Sequence, residues 1–375
     1  MSATWTAAGD PPPECVGFML YNGLAPLGEG KVLLAGGTKK DFSSSDGSAI
    51  FDVASGAWTA TAPLTEPRRV HTLTAFGEGL VLAAGGVDAP MQRANPPLDT
   101  AELFAAETGW VPTTPMLEAR AEHGAVLLHD GRVLVAGGVV PRTPVTNHEL
   151  SSAEIFEPGS KTWLPAASMI DARGDVQLVV LPDGRVLVAG GSVTIGDGPT
   201  AQLAFCEVYD PVADTWTPTG SLRVPRSLHQ LVLLGDGTVL AIGGINVGTP
   251  MGPLFDGHSL RTVERYDPAT GQWSDAEPMP WGRAFHIAVA LDTGEALAIG
   301  GCDYAVLDAG FRNAALFDPV TGRWTPTGGM VTGRYGLGAA PLPGGRALAV
   351  GGVIKVGPSF VEDNVMATGS EVFTR

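Results

Sequence analysis

Short apolar runs that end in two glycines recur along the whole chain. One of them, residues 132–138, reads Arg-Val-Leu-Val-Ala-Gly-Gly. The glycine pairs of the seven runs are Gly36-Gly37, Gly85-Gly86, Gly137-Gly138, Gly190-Gly191, Gly243-Gly244, Gly300-Gly301 and Gly351-Gly352. Successive pairs are 49 to 57 residues apart. Self-similarity at about 50 residues is typical of a propeller or a similar array of repeated units.

Each repeat predicts four short strands. An apolar segment before the run, such as residues 124–128, predicts strand A, and Asp130-Gly131 after it suits a two-residue hairpin turn. The run itself predicts strand B, and a loop of variable length leads to strand C. Strand C carries Phe51, Phe104, Phe156, Tyr209, Tyr266, Phe317 or Phe373, and strand D carries a tryptophan 6 or 7 residues later. Four short antiparallel strands at this period predict a propeller blade.

The two ends of the chain complement each other. The last repeat ends two residues after Phe373, so it has strands A, B and C and lacks strand D. The first residues, Ala3-Thr4-Trp5-Thr6, read as a strand D that has no strand C before it. We therefore predict an all-β ring of seven blades in which residues 1–7 complete the last blade, and one domain over residues 1–375. Ring closure removes the exposed sheet edge of an open array.

Composition limits the partners. The formal charge of −16 and the pI near 4.7 argue against binding to nucleic acid or to an anionic membrane. Cys15, Cys206 and Cys302 form no zinc pattern and no disulfide framework, so we expect buried or free thiols. No run of 18 apolar residues and no signal peptide is present. As written, the chain is expected to be a cytoplasmic monomer, although a secreted or periplasmic protein without its leader would read the same.

Three features together carry a family resemblance: the double glycine, the spaced aromatic and tryptophan residues of strands C and D, and an Arg-x-x-His before strand A. In this combination the chain resembles the kelch repeat, the motif of kelch propellers and of the galactose-oxidase-like propeller group. The resemblance covers essentially the whole chain. It implies a seven-bladed kelch-type β-propeller, and it specifies the fold far better than the function, because kelch propellers include protein-binding modules, sugar-handling enzymes and copper oxidases.

An arginine stands 17 residues before the glycine pair in six repeats. These arginines are Arg68, Arg120, Arg173, Arg226, Arg283 and Arg334. If strand A is innermost, they form a ring near the mouth of the central channel. As ligand-binding residues they would hold a carboxylate or phosphate through paired hydrogen bonds. Alternatively they are structural and tie the blades together through carboxylates such as Glu102, Glu154, Glu207, Glu264 and Glu371.

Two acidic residues suggest a second kind of site. Glu122 and Asp175 stand two residues after Arg120 and Arg173, on neighbouring blades, where we expect each side chain to return to the face of its arginine. Paired carboxylates can act as general acid and base, so both are candidate catalytic residues. The plainer interpretation is that each one pairs with its own arginine.

No cofactor and no metal site is expected. The histidines three residues after the arginines match the structural Arg-x-x-His of the family, and we expect them to pack between blades: His71, His123, His229 and His286. The resemblance implies that a copper site would need two histidines, two tyrosines and a cysteine cross-linked to one tyrosine. The chain has five tyrosines and no adjacent Tyr-His pair.

The loops after strand B vary most in length and share a face with the loops that enter strand A. Variable loops on a rigid ring are usual places for binding specificity. The candidate ligand-binding residues there are Trp281, Tyr335, His258 and Tyr304. Further residues expected on this face are His148, Asp197, Met251, Phe255, Asp256, Asp303, Asp308 and Phe360.

The sequence thus predicts a binding module that holds a small-molecule ligand or a protein partner at the loop face and channel mouth. An anionic ligand would suit the arginine ring. The alternative is a metal-free enzyme, an isomerase, cyclase or lyase, that performs acid–base chemistry on a small polar molecule. A purely structural scaffold is a third possibility.

Overall fold

The repeats fold into seven antiparallel four-stranded sheets, each a blade with strand order A-B-C-D. The structure, a computed structural model, describes residues 3–15, 17, 23–77, 79–88, 96–143, 146–196, 200–246, 258–303, 309–355 and 365–375. The A strands of consecutive blades contact each other all the way round, so they surround a central channel. They are Leu24–Gly28, Thr72–Ala75, Gly124–Leu127, Leu178–Val180, Gln230–Leu233, Ile287–Ala290 and Gly338–Leu342.

The B strands are buried on both faces because each blade packs between two others. They are Lys31–Ala35, Leu80–Ala84, Val133–Ala136, Val186–Ala189, Val239–Ile242, Ala296–Ile299 and Arg346–Val350. The C strands are Ser48–Asp52, Ala101–Ala105, Ala153–Glu157, Cys206–Asp210, Val263–Asp267, Ala314–Asp318 and Ser370–Thr374. The D strands are Ala57–Ala60, Gly109–Pro112, Thr162–Ala166, Thr215–Pro218, Gln272–Ala276, Arg323–Pro326 and Thr4–Ala7.

The first strand of the chain closes the ring. Thr4–Ala7 pairs with Ser370–Thr374, and Trp5 lies opposite Phe373 with ring centroids 5.4 Å apart. The corresponding pair in the first blade, Phe51 and Trp58, has the same arrangement at 5.2 Å. The predicted all-β propeller of seven blades, with the last blade closed by the N-terminal strand, is confirmed.

Smaller elements lie outside the blades. A short 3-10 helix covers Pro13–Cys15, and the described part of the chain contains no helix with the length and apolar character needed to cross a membrane. Extra hairpins rise from the loops between strands B and C of the third, fourth, fifth and seventh blades. They pair Val139–Thr143 with Thr146–Glu149, Ser192–Thr194 with Thr200–Gln202, Ile245–Asn246 with His258–Ser259, and Val353–Lys355 with Val365–Met366.

The glycine pairs join each blade to the next. Gly138 has a φ of +101°, and its N–H donates to the carbonyl of Arg173 in the following blade at 2.9 Å. A Cβ on Gly138 would lie 2.5 Å from the carbonyl oxygen of Ala121, closer than any side chain tolerates. The same bond closes the ring, since Gly352 donates to the carbonyl of Gly17 at 2.8 Å. Glycine is required here by both backbone conformation and space.

Candidate functional site

The six repeated arginines lie inside the blades. Each has an exposed side-chain fraction of 2% or less. Arg173 donates from Nη1 to the carbonyls of Gly190 and Phe205 and from Nη2 to Oε1 of Glu207 at 2.8 Å. The carboxylate of Glu207 also accepts the backbone N–H groups of Ile170 and Asp171. We call this arrangement of arginine, carboxylate and loop backbone the blade clamp.

The clamp recurs in four other blades, with Arg68–Glu102, Arg120–Glu154, Arg226–Glu264 and Arg334–Glu371 as its ion pairs. The geometry therefore favours the structural one of the two interpretations of the arginines. Their Nη groups donate to carbonyls and side chains within the protein, and burial keeps a ligand from reaching them. The expectation that they form an anion receptor at the channel mouth finds no geometric support, and we leave them out of the proposed site.

The sixth blade departs from this pattern. Its strand C has Ala315 where the other clamps have glutamate, and Arg283 donates to Oδ1 of Asn313 at 2.7 Å instead. The loop residue that would donate its N–H to the carboxylate is Pro280, which has none. Burial without a carboxylate partner lowers the pKa of Arg283 to about 10. The next residue, Trp281, is 42% exposed on this loop.

A second ring of residues lies two positions after the arginines, where the chain enters strand A. It consists of Val70, Glu122, Asp175, Leu228, Phe285 and Gly336, and we call it the mouth ring. All six have φ between +49° and +56°, the left-handed region. The prediction that these side chains return to the arginine's face of a strand is wrong, because the backbone turns here before strand A begins. For each residue other than glycine this conformation costs about 1–2 kcal/mol.

Backbone hydrogen bonds connect the mouth ring from blade to blade. Glu122 donates its N–H to the carbonyl of Val70, and Val176 donates to the carbonyl of Glu122. Gly336 donates in the same way to the carbonyl of Phe285 at 2.8 Å. The ring thus has a backbone conformation that repeats at its six positions, while the side chain is different at each of them.

The third and fourth blades make one side of the mouth acidic. Burial, and then the nearby charges of Asp175 and Glu149, raise the pKa of Glu122 to about 8, and Arg69 opposes this shift. Asp175 accepts a hydrogen bond from Ser192 Oγ at 2.9 Å, and Glu149 accepts two from Thr194 in the neighbouring hairpin. The structure therefore brings Glu122 and Asp175 together as predicted.

The plainer interpretation of this pair is wrong. Arg120 and Arg173 pair with Glu154 and Glu207, so they are not the partners of Glu122 and Asp175. Sequence reasoning also missed Glu149 and Arg69. Arg69 follows a repeat arginine directly, and Glu149 lies at the end of a hairpin that the repeat does not contain, so neither has a marker in the repeat.

The other side chains of the mouth ring, those of Val70, Leu228 and Phe285, are apolar. Val70 packs against Val87, Ala121 and Val139. On the opposite side, Phe285 packs on a cluster that includes Tyr335, with their ring centroids 6.2 Å apart. Tyr335 is only 5% exposed. This candidate ligand-binding residue therefore packs against Phe285 and presents little surface to solvent.

The four histidines lie between blades. A Cβ placed on Gly85 would be 2.9 Å from Cε1 of His123, so the imidazole fills the space that the glycine leaves. Burial lowers the pKa of His71 and His229 to about 3, which keeps both rings neutral. In the described ranges, no group of three or more His, Cys, Asp or Glu side chains is arranged to hold a metal ion.

Several candidates of the loop face lie outside the described residues, namely Tyr304, Asp197, Met251, Phe255, Asp256, Asp308 and Phe360. His258 contributes backbone to a hairpin, and its side chain is also outside the description. His148 is exposed on the hairpin of the third blade. Ser259 Oγ donates to the Cys302 carbonyl at 3.3 Å, and Asp303 follows directly in the chain.

Comparison with known proteins agrees with the propeller of seven sheets. A family model described as "Kelch motif" matches residues 120–170 and 230–280. The chain is therefore a seven-bladed β-propeller with segments similar to the kelch repeat. It is 26% identical over 291 residues to Kelch-like protein 34 of Homo sapiens, a match that covers 74% of this chain and 42% of that protein. The chain spans less than half the length of the curated relatives it matches.

Two solved structures share the fold. A fungal alcohol oxidase of the AA5 family in complex with copper has a TM-score of 0.73 at 16% identity, covering all of this chain and 76% of that one. The structure of YjhT has a TM-score of 0.64 at 15% identity, covering 85% of this chain and 99% of that one. At these identities the likeness shows the fold alone.

The clamp makes a direct prediction for stability. Glu207→Ala leaves Arg173 buried without its counterion and two N–H groups without an acceptor, so we expect a loss of about 3–5 kcal/mol in unfolding free energy. Asp275→Ala is the matched control, because it breaks an exposed ion pair with Arg223 and should cost no more than about 1 kcal/mol. Urea denaturation of both variants measures the difference. Equal losses would contradict the structural role of the clamp.

The acidic pair predicts a pH-dependent stability. Because the folded-state pKa of Glu122 is about 8, above the ordinary value of 4.5 for glutamate, the folded protein holds a proton that the unfolded chain has released between these pH values. Unfolding free energy should therefore fall as pH rises through this window. Glu122→Gln should remove this slope and stabilise the protein at pH 8.5 by about 1–3 kcal/mol, discounted from the full shift for partial solvent access.

This pH dependence can be measured by denaturation at pH 5, 7 and 8.5. The proteins compared are the wild type, Glu122→Gln and the exposed control Glu107→Gln. The control should follow the wild type at every pH. If the Glu122→Gln curve also runs parallel to the wild type, Glu122 does not carry the proton.

Proposed function

We propose that this kelch propeller is a binding module that holds a positively charged group of a small molecule or of a protein partner at the mouth ring. The observation that carries the proposal is the contrast within that ring. Its backbone is the same at all six positions, whereas its side chains are acidic in the third and fourth blades and apolar in the second, fifth and sixth. Variable side chains on a fixed, strained backbone are typical of a functional site.

The charges of the mouth favour a cation over the anion expected from the arginines. The carboxylates of Asp175 and Glu149 both act on Glu122 there, and the cation that acts on Glu122 is Arg69. Burial raises the pKa of Glu122 most, and repulsion by the two neighbouring carboxylates raises it further. A bound cation offsets that repulsion and allows both members of the pair to ionise. The formal charge of −16 also attracts cations at long range.

The apolar side of the mouth suits the body of such a ligand. Val70, Leu228 and Phe285 are each only partly buried at the ring, so they offer apolar surface next to the carboxylates. Binding sites commonly combine an apolar wall with a few polar groups that fix orientation. An ammonium on a short apolar body, including a lysine side chain of a protein partner, combines both features.

Two probes of the same shape and opposite charge test the proposal. In phosphate buffer at pH 7, tert-butylammonium should bind in a ligand-observed NMR titration, and the isosteric anion pivalate should not. Glu122→Gln/Asp175→Asn should weaken the binding of tert-butylammonium about tenfold, since it removes both charges next to the cation. Glu107→Gln, at an exposed turn, serves as the control.

The wild type should bind this cation more tightly at pH 8.5 than at pH 6, because Glu122 ionises between these values. Pivalate binding, or equal affinity of the double variant, would reject the mouth ring as a cation site.

Metal-free acid–base catalysis is a second candidate function, and the Glu122–Asp175 pair is the observation that favours it. With a pKa of about 8, Glu122 is largely protonated at pH 7 and can donate a proton, while Asp175 can accept one. An isomerase, cyclase or lyase acting on a small polar molecule needs such a pair.

NMR in D₂O on a panel of aldoses and 2-oxo acids tests for this catalysis by measuring exchange of C–H protons for deuterium. Exchange of one C–H proton should occur with the wild type and stop in Glu122→Gln and in Asp175→Asn. Exchange that persists in both variants would exclude these two residues as the acid and base.

A further inference from the structure

The central channel contains a cavity of about 190 Å³ whose lining residues directly follow the mouth ring in the chain. We call this cavity the throat. Five consecutive blades each contribute the residue two positions after their mouth-ring residue. These residues are Thr72, Gly124, Gln177, Gln230 and Ile287. The throat therefore continues the mouth, and a ligand held at the ring can extend into it.

The polar side chains that line the throat are uncharged, and aliphatic side chains line the rest. Gln177 and Gln230 present carboxamides, each with donors and an acceptor. Within the described residues, Gln177 makes no side-chain hydrogen bond, and Gln230 uses one N–H for the carbonyl of His229 at 3.2 Å. Most of the hydrogen-bonding capacity of the two amides is thus left for a molecule in the channel.

One blade adds a buried imidazole to this wall. His123 is 1% exposed, and its Nε2 lies 2.9 Å from Thr72 Oγ1, while its Nδ1 has no hydrogen-bond partner among the residues that the structure describes. Burial lowers the pKa of His123 well below its usual value, so the ring is neutral. None of the throat residues carries a charge that could neutralise an ionic group, and an ion would lose its hydration there without compensation.

The size of the throat limits its occupant. At about 30 Å³ for each water molecule in the liquid, 190 Å³ corresponds to about six water-sized groups, below the range of drug-sized pockets. The wall gives little room to expand on one side, because a Cβ added to Gly124 would lie 2.6 Å from Cγ of Leu178. A compact molecule with several hydroxyl groups fits this volume and uses both donors and acceptors of the amides.

We infer that the ligand is a small amino polyol, whose ammonium lies at the mouth ring and whose hydroxyl groups enter the throat. This inference rests on the proposed function, since it takes the cation at the mouth as given and assigns the other end of the same molecule. Gln177, Gln230 and Thr72 are its hydroxyl-binding residues, and the carboxylates of Glu122 and Asp175 hold its charge.

Three probes separate the two parts of the site. Tris(hydroxymethyl)aminomethane carries both an ammonium and hydroxyl groups, tert-butylammonium has the same shape without hydroxyls, and erythritol has hydroxyls without the charge. In NMR titrations in phosphate buffer at pH 7, Tris should bind about tenfold more tightly than tert-butylammonium, because its hydroxyls add hydrogen bonds in the throat. Gln177→Leu/Gln230→Leu should abolish this advantage, while tert-butylammonium, which makes no hydrogen bond to the two amides, still binds. Gln272→Leu on an outer strand is the matched control.

The outcomes distinguish the inference from the proposed function. Equal affinities for Tris and tert-butylammonium in the wild type, or an advantage that survives in the double glutamine variant, would overturn the throat assignment alone. Loss of both bound amines in that variant, with a native circular-dichroism spectrum and melting temperature, would also overturn it, because the throat would then not act separately from the mouth. If neither amine binds the wild type, the cation site itself is wrong and both proposals fail.

Discussion

The blade clamp is the interaction on which the rest of the structure depends. Moving a guanidinium from water into the protein interior costs desolvation free energy. The arginine is stable there because a carboxylate and two carbonyls of the same blade accept its hydrogen bonds. The carboxylate also holds the loop that enters the blade, and the carbonyl of the same arginine accepts the glycine N–H of the preceding blade. One residue thus fixes its own blade, its entry loop and its neighbour. Each mouth-ring residue stands two positions after a repeated arginine, so the clamp also fixes the position of the mouth ring.

The sequence was sufficient for the fold because the fold is a repetition. The glycine pairs, the strand D tryptophans and the incomplete last repeat each follow from packing that recurs in every blade, so Trp5 could be placed opposite Phe373 from spacing alone. The repeat was misleading for the site. A fully buried arginine and a ligand-binding arginine look the same in a sequence, and the partner that decides between them lies 30 to 38 residues away in the chain.

The mouth ring was harder still to foresee. Nothing in residues such as Val70 or Phe285 marks a left-handed backbone, since both side chains normally avoid it. The conformation is imposed by the neighbours, through the blade-to-blade hydrogen bonds and the clamp just before it. Glu149 joins the acidic side through a hairpin that is an insertion in the repeat. The parts of the molecule that share a common pattern were predictable, and the parts proposed to bind a ligand are those that depart from it.

Closure by the N-terminal strand has a consequence for the time course of folding. Six blades are made of segments that follow each other in the chain, so each can form as soon as its own four strands are available. The seventh needs Thr4–Ala7 beside Ser370–Thr374, a contact between segments separated by 366 residues at Thr6 and Val372. Loop closure over such a distance is entropically costly and slow. The ring is therefore expected to close last, and until then the hydrophobic faces of the first and last blades have no partner.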